Sequence, residues 1–337
     1  MENEQFRDSL LTQLLHRDKA EQSQLSRISE TSDVRLLMGS LEICCLRGFT
    51  NLLPWFVNLG VDINQCTHLI TPLTAACLGN KIEMIFALLH LGANINKSGS
   101  SGITPLHWLC SGFFIHDQDV FDLLLKNGAC TNERMFNGST PLLVSLSVTK
   151  RETANIVKTL LSHSADCNIG FYNSQAIKDG YRKFSKILGD TIEDIKDISL
   201  EMFSNKFPSS VVDYVNQEPN TEIHTLGSAT PLHLMCFTND IDMIKLLLER
   251  NPDINKCKED GSTPLFVACL FGFIDITTIL LEHGANRDIC RNDGTSPLDI
   301  AKQKKHNDII LLLENPKWRS TKSDKKRKKK NLLFREI

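Results

Sequence analysis

The feature that most constrains this chain is a phrase that returns at a fixed interval. Thr-Pro-Leu, or Ser-Pro-Leu in its last copy, begins at Thr71, Thr104, Thr140, Thr230, Thr263 and Ser296, at intervals of 33, 36, 90, 33 and 33 residues. A second marker keeps the same phase: HLGAN (90–94), KNGAC (126–130), SHSAD (162–166), ERNPD (249–253) and EHGAN (282–286), each after an apolar run. Upstream, SLEICCLRGFTNLLPWFVNLGVDIN (40–64) is a degenerate copy whose Gly60 lies 32 residues before Gly92, which brings the total to seven copies. A period near 33 means a stack of like units, and it outweighs any single-motif reading.

The physics of one unit is legible in 260–285. Thr263 can cap a helix with its hydroxyl, and Pro264 stands at the first helical position, where its missing N–H costs nothing. Leu265, Ala268 and Cys269 form one apolar stripe, and Gly272 ends this short helix. A second helix carries Ile276, Ile279, Leu280 and Leu281 and stops at Gly284. Between units, Asp260-Gly261, Asp293-Gly294 and Asn137-Gly138 favour the tight turn of a hairpin tip. Each unit is too small to bury its own apolar face and must stack on its neighbours.

TPLHxAA, an apolar second helix, GA and then a DG turn resembles the ankyrin repeat, over roughly 39–315 with one interruption. The match is close at 71, 104, 230 and 263, fair at 140 and 296, and weak at 39, where GSLEICC stands in for TPLHxAA. The resemblance implies an all-α solenoid of stacked helix-turn-helix units with hairpin-like turns. The expected organisation is an N-terminal helical cap or degenerate repeat (1–38), about four repeats (39–168), an insertion (169–229), three repeats (230–315) and a basic, disordered tail (316–337). Phe6, Leu10, Leu14 and Leu15 fall at helical spacing in the first of these segments.

The eleven cysteines form ladders. In repeat register Cys45, Cys77, Cys110, Cys236 and Cys269 occupy the second Ala of TPLHxAA, where a small apolar side chain must pack against the next helix, and free Cys behaves as one. Packed helices lie ~8–10 Å apart and a disulfide needs Cα atoms within ~7 Å, so neighbours in this ladder should not bridge. No CxxC pair exists to seed a zinc site, so no metal or other cofactor is expected. Cys66, Cys257 and Cys290 form a second ladder, each six residues beyond Gly60, Asn251 or Gly284, expected in exposed turns. The absence of a signal-peptide pattern and of any run of eighteen apolar residues points to a cytosolic or nuclear protein without a membrane span.

His107 and His233 occupy the TPLH position, where the resemblance implies imidazoles that tie neighbouring loops. No P-loop, no GxGxxG opening a helix and no local catalytic arrangement is found, so a non-enzymatic protein is expected. Between Asn168 and Thr230 the repeat signal is lost. SQAIKDGYRKFSKILGDTIEDIKDISLEMFSNKF reads as two amphipathic helices, with Ile177, Tyr181, Phe184 and Leu188 on one face and Ile195, Ile198 and Met202 on the next, followed by a loop (207–228). The segment is either an insertion packed on the array or a helical partner-binding element.

Charge is asymmetric. Residues 315–337 hold ten Lys/Arg against two acids, whereas the rest of the chain holds 28 basic and 38 acidic residues. Lys325, Lys326, Arg327, Lys328, Lys329 and Lys330 form an unbroken basic run that suits an import receptor's acidic groove, a nuclear localisation signal; nucleic-acid phosphate is the second reading and an anionic membrane surface the third.

The resemblance implies a protein-protein interaction scaffold or adaptor that binds a partner on a concave face of turn tips and first-helix surfaces. Carried over residue by residue, that face comprises Phe136, Asn137, Phe237, Thr238, Glu259, Asp260, Ser262, Leu270, Phe271, Asn292 and Asp293. Phe237 and Phe271 are either exposed anchors or side chains tucked into the groove between repeats; Trp108 is expected in the core. The acidic body favours a basic partner. The alternatives are a nucleic-acid-associated regulator acting through the tail and a ubiquitin-ligase substrate adaptor, although no SOCS-box or F-box pattern is recognised in 1–38 or 315–337.

Overall fold

The computed structural model describes residues 34–66, 70–99, 102–111, 118–147, 153–179 and 226–315. All seven repeats are present as helix pairs. They are α1 (Val34–Arg47) with α2 (Leu53–Asn58), α3 (Pro72–Leu78) with α4 (Ile82–His90), α5 (Pro105–Cys110) with α6 (Gln118–Lys126), and α7 (Pro141–Ser147) with α8 (Thr153–Ser162). After the interruption come α9 (Pro231–Thr238) with α10 (Ile241–Leu248), α11 (Pro264–Phe271) with α12 (Ile274–Glu282), and α13 (Pro297–Gln303) with α14 (Asn307–Glu314). No strand occurs among the described residues. The weakest copy, at 40–64, folds as a helix pair like the rest, its first helix described from Val34.

The chain forms two compact units, 1–165 with 179–196, and 166–178 with 197–337. In the first, inner helix α1 packs on α3, α3 on α5 and α5 on α7. In the second, α9 packs on α11 and α11 on α13, while the outer helices α10, α12 and α14 follow in step.

Why these sequences form these helices is visible at their first turns. The hydroxyls of Thr71, Thr104, Thr263 and Ser296 accept the backbone N–H three residues on, and a proline fills the next position each time. Every residue of α11, from Pro264 to Phe271, is buried, because the inner helix is enclosed by its own outer helix and by the inner helices on both sides. A helix so enclosed needs small side chains where backbones approach, which Ala75, Ala76, Cys77, Ala268 and Cys269 supply.

The turns between units are hairpin tips of one geometry. Met135 N, Lys258 N and Arg291 N donate to the carbonyls of Ser139, Ser262 and Thr295 at 3.0, 2.9 and 2.9 Å. The side chains of Asn137, Asp260 and Asp293 each accept the N–H two residues on, at 2.9 Å. Gly138, Gly261 and Gly294 follow them with φ of 88°, 85° and 87°, a left-handed conformation that glycine adopts without steric cost.

The interruption is narrower than the loss of repeat signal. Phe171 N donates to Ala229 O at 3.0 Å and Ser228 N to Tyr172 O at 3.0 Å, so the base of a hairpin is intact on both sides of it. Asn168 to Thr230 spans 62 residues where Asn255 to Thr263 spans 8, so 54 residues are inserted at this hairpin's tip. Residues 174–179 begin a helix, capped by Asn173, whose side chain accepts Ala176 N at 2.8 Å. Tyr181, Phe184, Leu188, Ile195, Ile198 and Met202, the loop at 207–225, the N-terminal apolar residues Phe6, Leu10, Leu14 and Leu15, and the tail from 316 lie outside the described residues.

Candidate functional site

The histidines join one repeat to the next. His107 Nδ1 lies 2.8 Å from Thr104 Oγ and accepts the Thr104 N–H at 3.3 Å, which leaves Nε2–H to donate to Ser139 O at 3.1 Å. His233 repeats this pattern with Thr230 and with Ser262 O, also at 3.1 Å. Both ring nitrogens are thereby used. Burial holds both imidazoles neutral, pushing His107 down to about 4 and His233 down to about 3, the latter helped by the Lys258 charge.

A second ladder of asparagines was not singled out from the sequence. Asn64 Oδ1 accepts Asn94 N at 2.6 Å, Asn96 Oδ1 accepts Cys130 N at 2.8 Å, Asn168 Oδ1 accepts Asp253 N at 2.7 Å, and Asn255 Oδ1 accepts Asn286 N at 2.7 Å. With Asn132, whose amide donates to Ser164 O at 3.2 Å, these stand four residues beyond Gly60, Gly92, Gly128, Ser164 and Asn251. That constant offset is the signal that could have found them.

The proposed binding residues separate into three groups. Asn292 and Asp293 are exposed at a hairpin tip, and Phe136, Asn137, Thr238 and Asp260 are half-buried. Ser262 and Leu270, expected on the binding face, are buried, and so are Phe237 and Phe271, which for the two phenylalanines selects the groove between repeats over exposed anchors. Phe237 is only 2% exposed and meets Phe271 edge-on at 5.9 Å between ring centroids, because α9 and α11 pack directly against each other. Glu259 is exposed but engaged: its carboxylate accepts two hydrogen bonds from Ser174. Trp108, expected in the core, is half-buried; its enclosed Nε1 has no hydrogen-bond partner among the described residues.

The electrostatics of this edge are shaped by Lys258, 7% exposed, whose ammonium lies 3.4 Å from Asp260 Oδ2 and 5.7 Å from the Phe237 ring centroid. Burial lowers its pKa. Burial opposes the ionised form of Asp260, but the Lys258 charge and the Ser262 amide outweigh it and bring the carboxyl below its usual range. Arg291 pairs with Asp293 at 2.8 Å and lies over Phe266 at 5.8 Å.

The inner-ladder thiols of Cys45, Cys77, Cys110, Cys236 and Cys269 are buried and unbridged, and burial raises each well above the ordinary thiol range. In the outer ladder Cys257 and Cys290 are exposed and Cys66 is half-buried. Among the described residues there is no group of three or more His, Cys, Asp or Glu able to hold a metal ion, and no helix is long and apolar enough to cross a membrane. One apolar surface went unnoticed in the sequence. Phe86 and Leu91 are exposed at α4 and its C-terminus, and Phe86 stands where Asp122, Lys158, Lys245 and Thr278 occupy the same register position in other outer helices.

Stacks of four and of three helix pairs, with hydroxyl-capped inner helices, Asx-closed hairpin tips and two interrepeat hydrogen-bond ladders, define a repeat solenoid. The chain belongs to the ankyrin-repeat family: the family model for ankyrin repeats matches in three copies, at 41–135, 207–292 and 232–324. A putative ankyrin repeat protein of fowlpox virus is 33% identical over 133 residues, 38% of each chain. Rabbit ankyrin repeat and SOCS box protein 5 is 34% identical over 120 residues, 35% of this chain and 34% of that protein. The human transient receptor potential cation channel subfamily A member 1 is 27% identical over 191 residues, 55% of this chain but 15% of the channel. The match thus spans little more than a third of the length of the first two relatives.

Proposed function

We propose that this chain is a non-enzymatic interaction scaffold that binds a partner protein across its hairpin tips and the neighbouring inner-helix surface. One observation carries the reading. His107 and His233 have both ring nitrogens spent on holding repeat to repeat, while the hairpin tips present Asn292 and Asp293 outward. The basic run 325–330 gives the scaffold access to the nucleus through an import receptor; deleting it should then leave the protein in the cytoplasm, and an unchanged distribution ends that part of the proposal.

The test is affinity capture on the full chain and on a Phe136→Arg, Asn292→Arg double variant, with captured protein and nucleic acid both quantified. Phe86→Arg serves as a control on an outer helix. Loss of one dominant protein from the double variant alone, with the helical circular dichroism retained, supports the scaffold. Capture dominated by nucleic acid, abolished by added salt and by removing 325–330, moves the function to the tail.

A second reading, a ubiquitin-ligase substrate adaptor, is favoured by the similarity to ankyrin repeat and SOCS box protein 5. Ubiquitin-ligase subunits among the captured proteins would select it, and their absence would leave the plain scaffold.

A further inference from the structure

Both ends of the insertion close on one residue, Glu259. At its start, Glu259 Oε2 accepts Ser174 N at 2.8 Å and Ser174 Oγ at 2.6 Å. At its end, Gly227 O accepts Glu259 N at 3.3 Å. The fit is close enough that a Cβ on Gly227 would lie 2.4 Å from Glu259 Oε2 and 2.5 Å from Ser174 Oγ. Ser174 and Ile177 are 2% and 4% exposed, so the first turn of the inserted helix is packed down at this point.

The backbone half of this arrangement belongs to the repeat and the side-chain half does not. Asn292 N donates to Asp260 O at 2.9 Å one repeat later, which puts Gly227 in the place of Asp260 and Glu259 in the place of Asn292. Asn292, however, turns its amide back to Glu259 O at 2.9 Å. Glu259 instead directs a carboxylate to the Ser174 N–H at the start of a helix, with the Ser174 hydroxyl as second donor, and hydrogen bonds to a charged group are the stronger kind.

We propose that Glu259 is the clasp of the 54-residue insertion: its carboxylate holds the first turn of the inserted helix on the hairpin edge, where its backbone N–H meets the other end. The assignment goes beyond the interaction reading and stands independently of it. It also changes what that edge offers: a partner arriving at Glu259 meets the base of the insertion, not a bare hairpin tip.

Hydrogen exchange by mass spectrometry on the full chain tests this. In the wild type the amides of 174–178 should be protected. Glu259→Ala should accelerate them at least about tenfold, the factor equivalent to about 1.4 kcal/mol, while α11 and α13 keep their protection. Glu259→Gln, which retains one acceptor and loses the charge, should fall between. Unchanged exchange at 174–178 in Glu259→Ala overturns the proposal, and so does an equal acceleration in α11, which would make Glu259 a general support of the hairpin. Ser174→Ala keeps the carboxylate and the amide bond and should have the smaller effect; a larger effect than Glu259→Ala would place the hold in the hydroxyl and overturn the assignment.

Discussion

His233 Nε2 lies 3.1 Å from the carbonyl oxygen of Ser262, 29 residues ahead in the next hairpin, while Nδ1 accepts the Thr230 N–H, which only a neutral imidazole can do. His107 makes the same joint to Ser139.

Acid should therefore weaken the array through these two residues. Both folded values, about 4 and about 3, lie below the ordinary histidine value of 6.5, so protons bind the unfolded chain first. Their contribution is complete above pH 6.5 and is lost as pH falls from there through the folded values. Between pH 7 and pH 5 each should cost on the order of 2 kcal/mol. Denaturant midpoints at the two pH values check this, and His107→Gln with His233→Gln should flatten the difference.

The buried thiol ladder gives a polarity test. Cys269→Ala should cost about 1 kcal/mol or less, whereas Cys269→Asp places a carboxylate in a site with no room to pair it and should destabilise by several kcal/mol. Equal thermal shifts for the two variants would mean that the position is not enclosed.

Thiol labelling separates the two ladders. Native protein should react first at Cys257 and Cys290, which are exposed, and at Cys45, Cys77, Cys110, Cys236 and Cys269 only on unfolding. Peptide mapping after a brief pulse of reagent reads the sites, and early modification of Cys236 would contradict the packing described.

Two phenylalanines should respond oppositely. Phe237→Ala leaves a hole between α9 and α11 and should cost roughly 3–5 kcal/mol. Phe86→Lys, on an exposed position that carries Lys158 and Lys245 elsewhere, should stay within about 0.5 kcal/mol. Melting curves of the two variants decide the point.

Much of this protein was determined by its sequence alone, because a repeat writes its contacts at a fixed offset. The capping Thr, the proline after it, the Asp-Gly tips and the small Cys position each recur in phase, so one unit's chemistry could be read from its copies, and even GSLEICC could be placed by Gly60. Tertiary structure decided what the period does not encode. Whether Phe237 faced solvent or α11 depended on the rotation of α9 against its neighbour, and its aromatic character suited either. In the sequence Glu259 is one more residue of the expected binding face; its partner Ser174 lies 85 residues earlier, on a segment outside the repeat pattern, and only folding brings the two ends of that segment to the same residue.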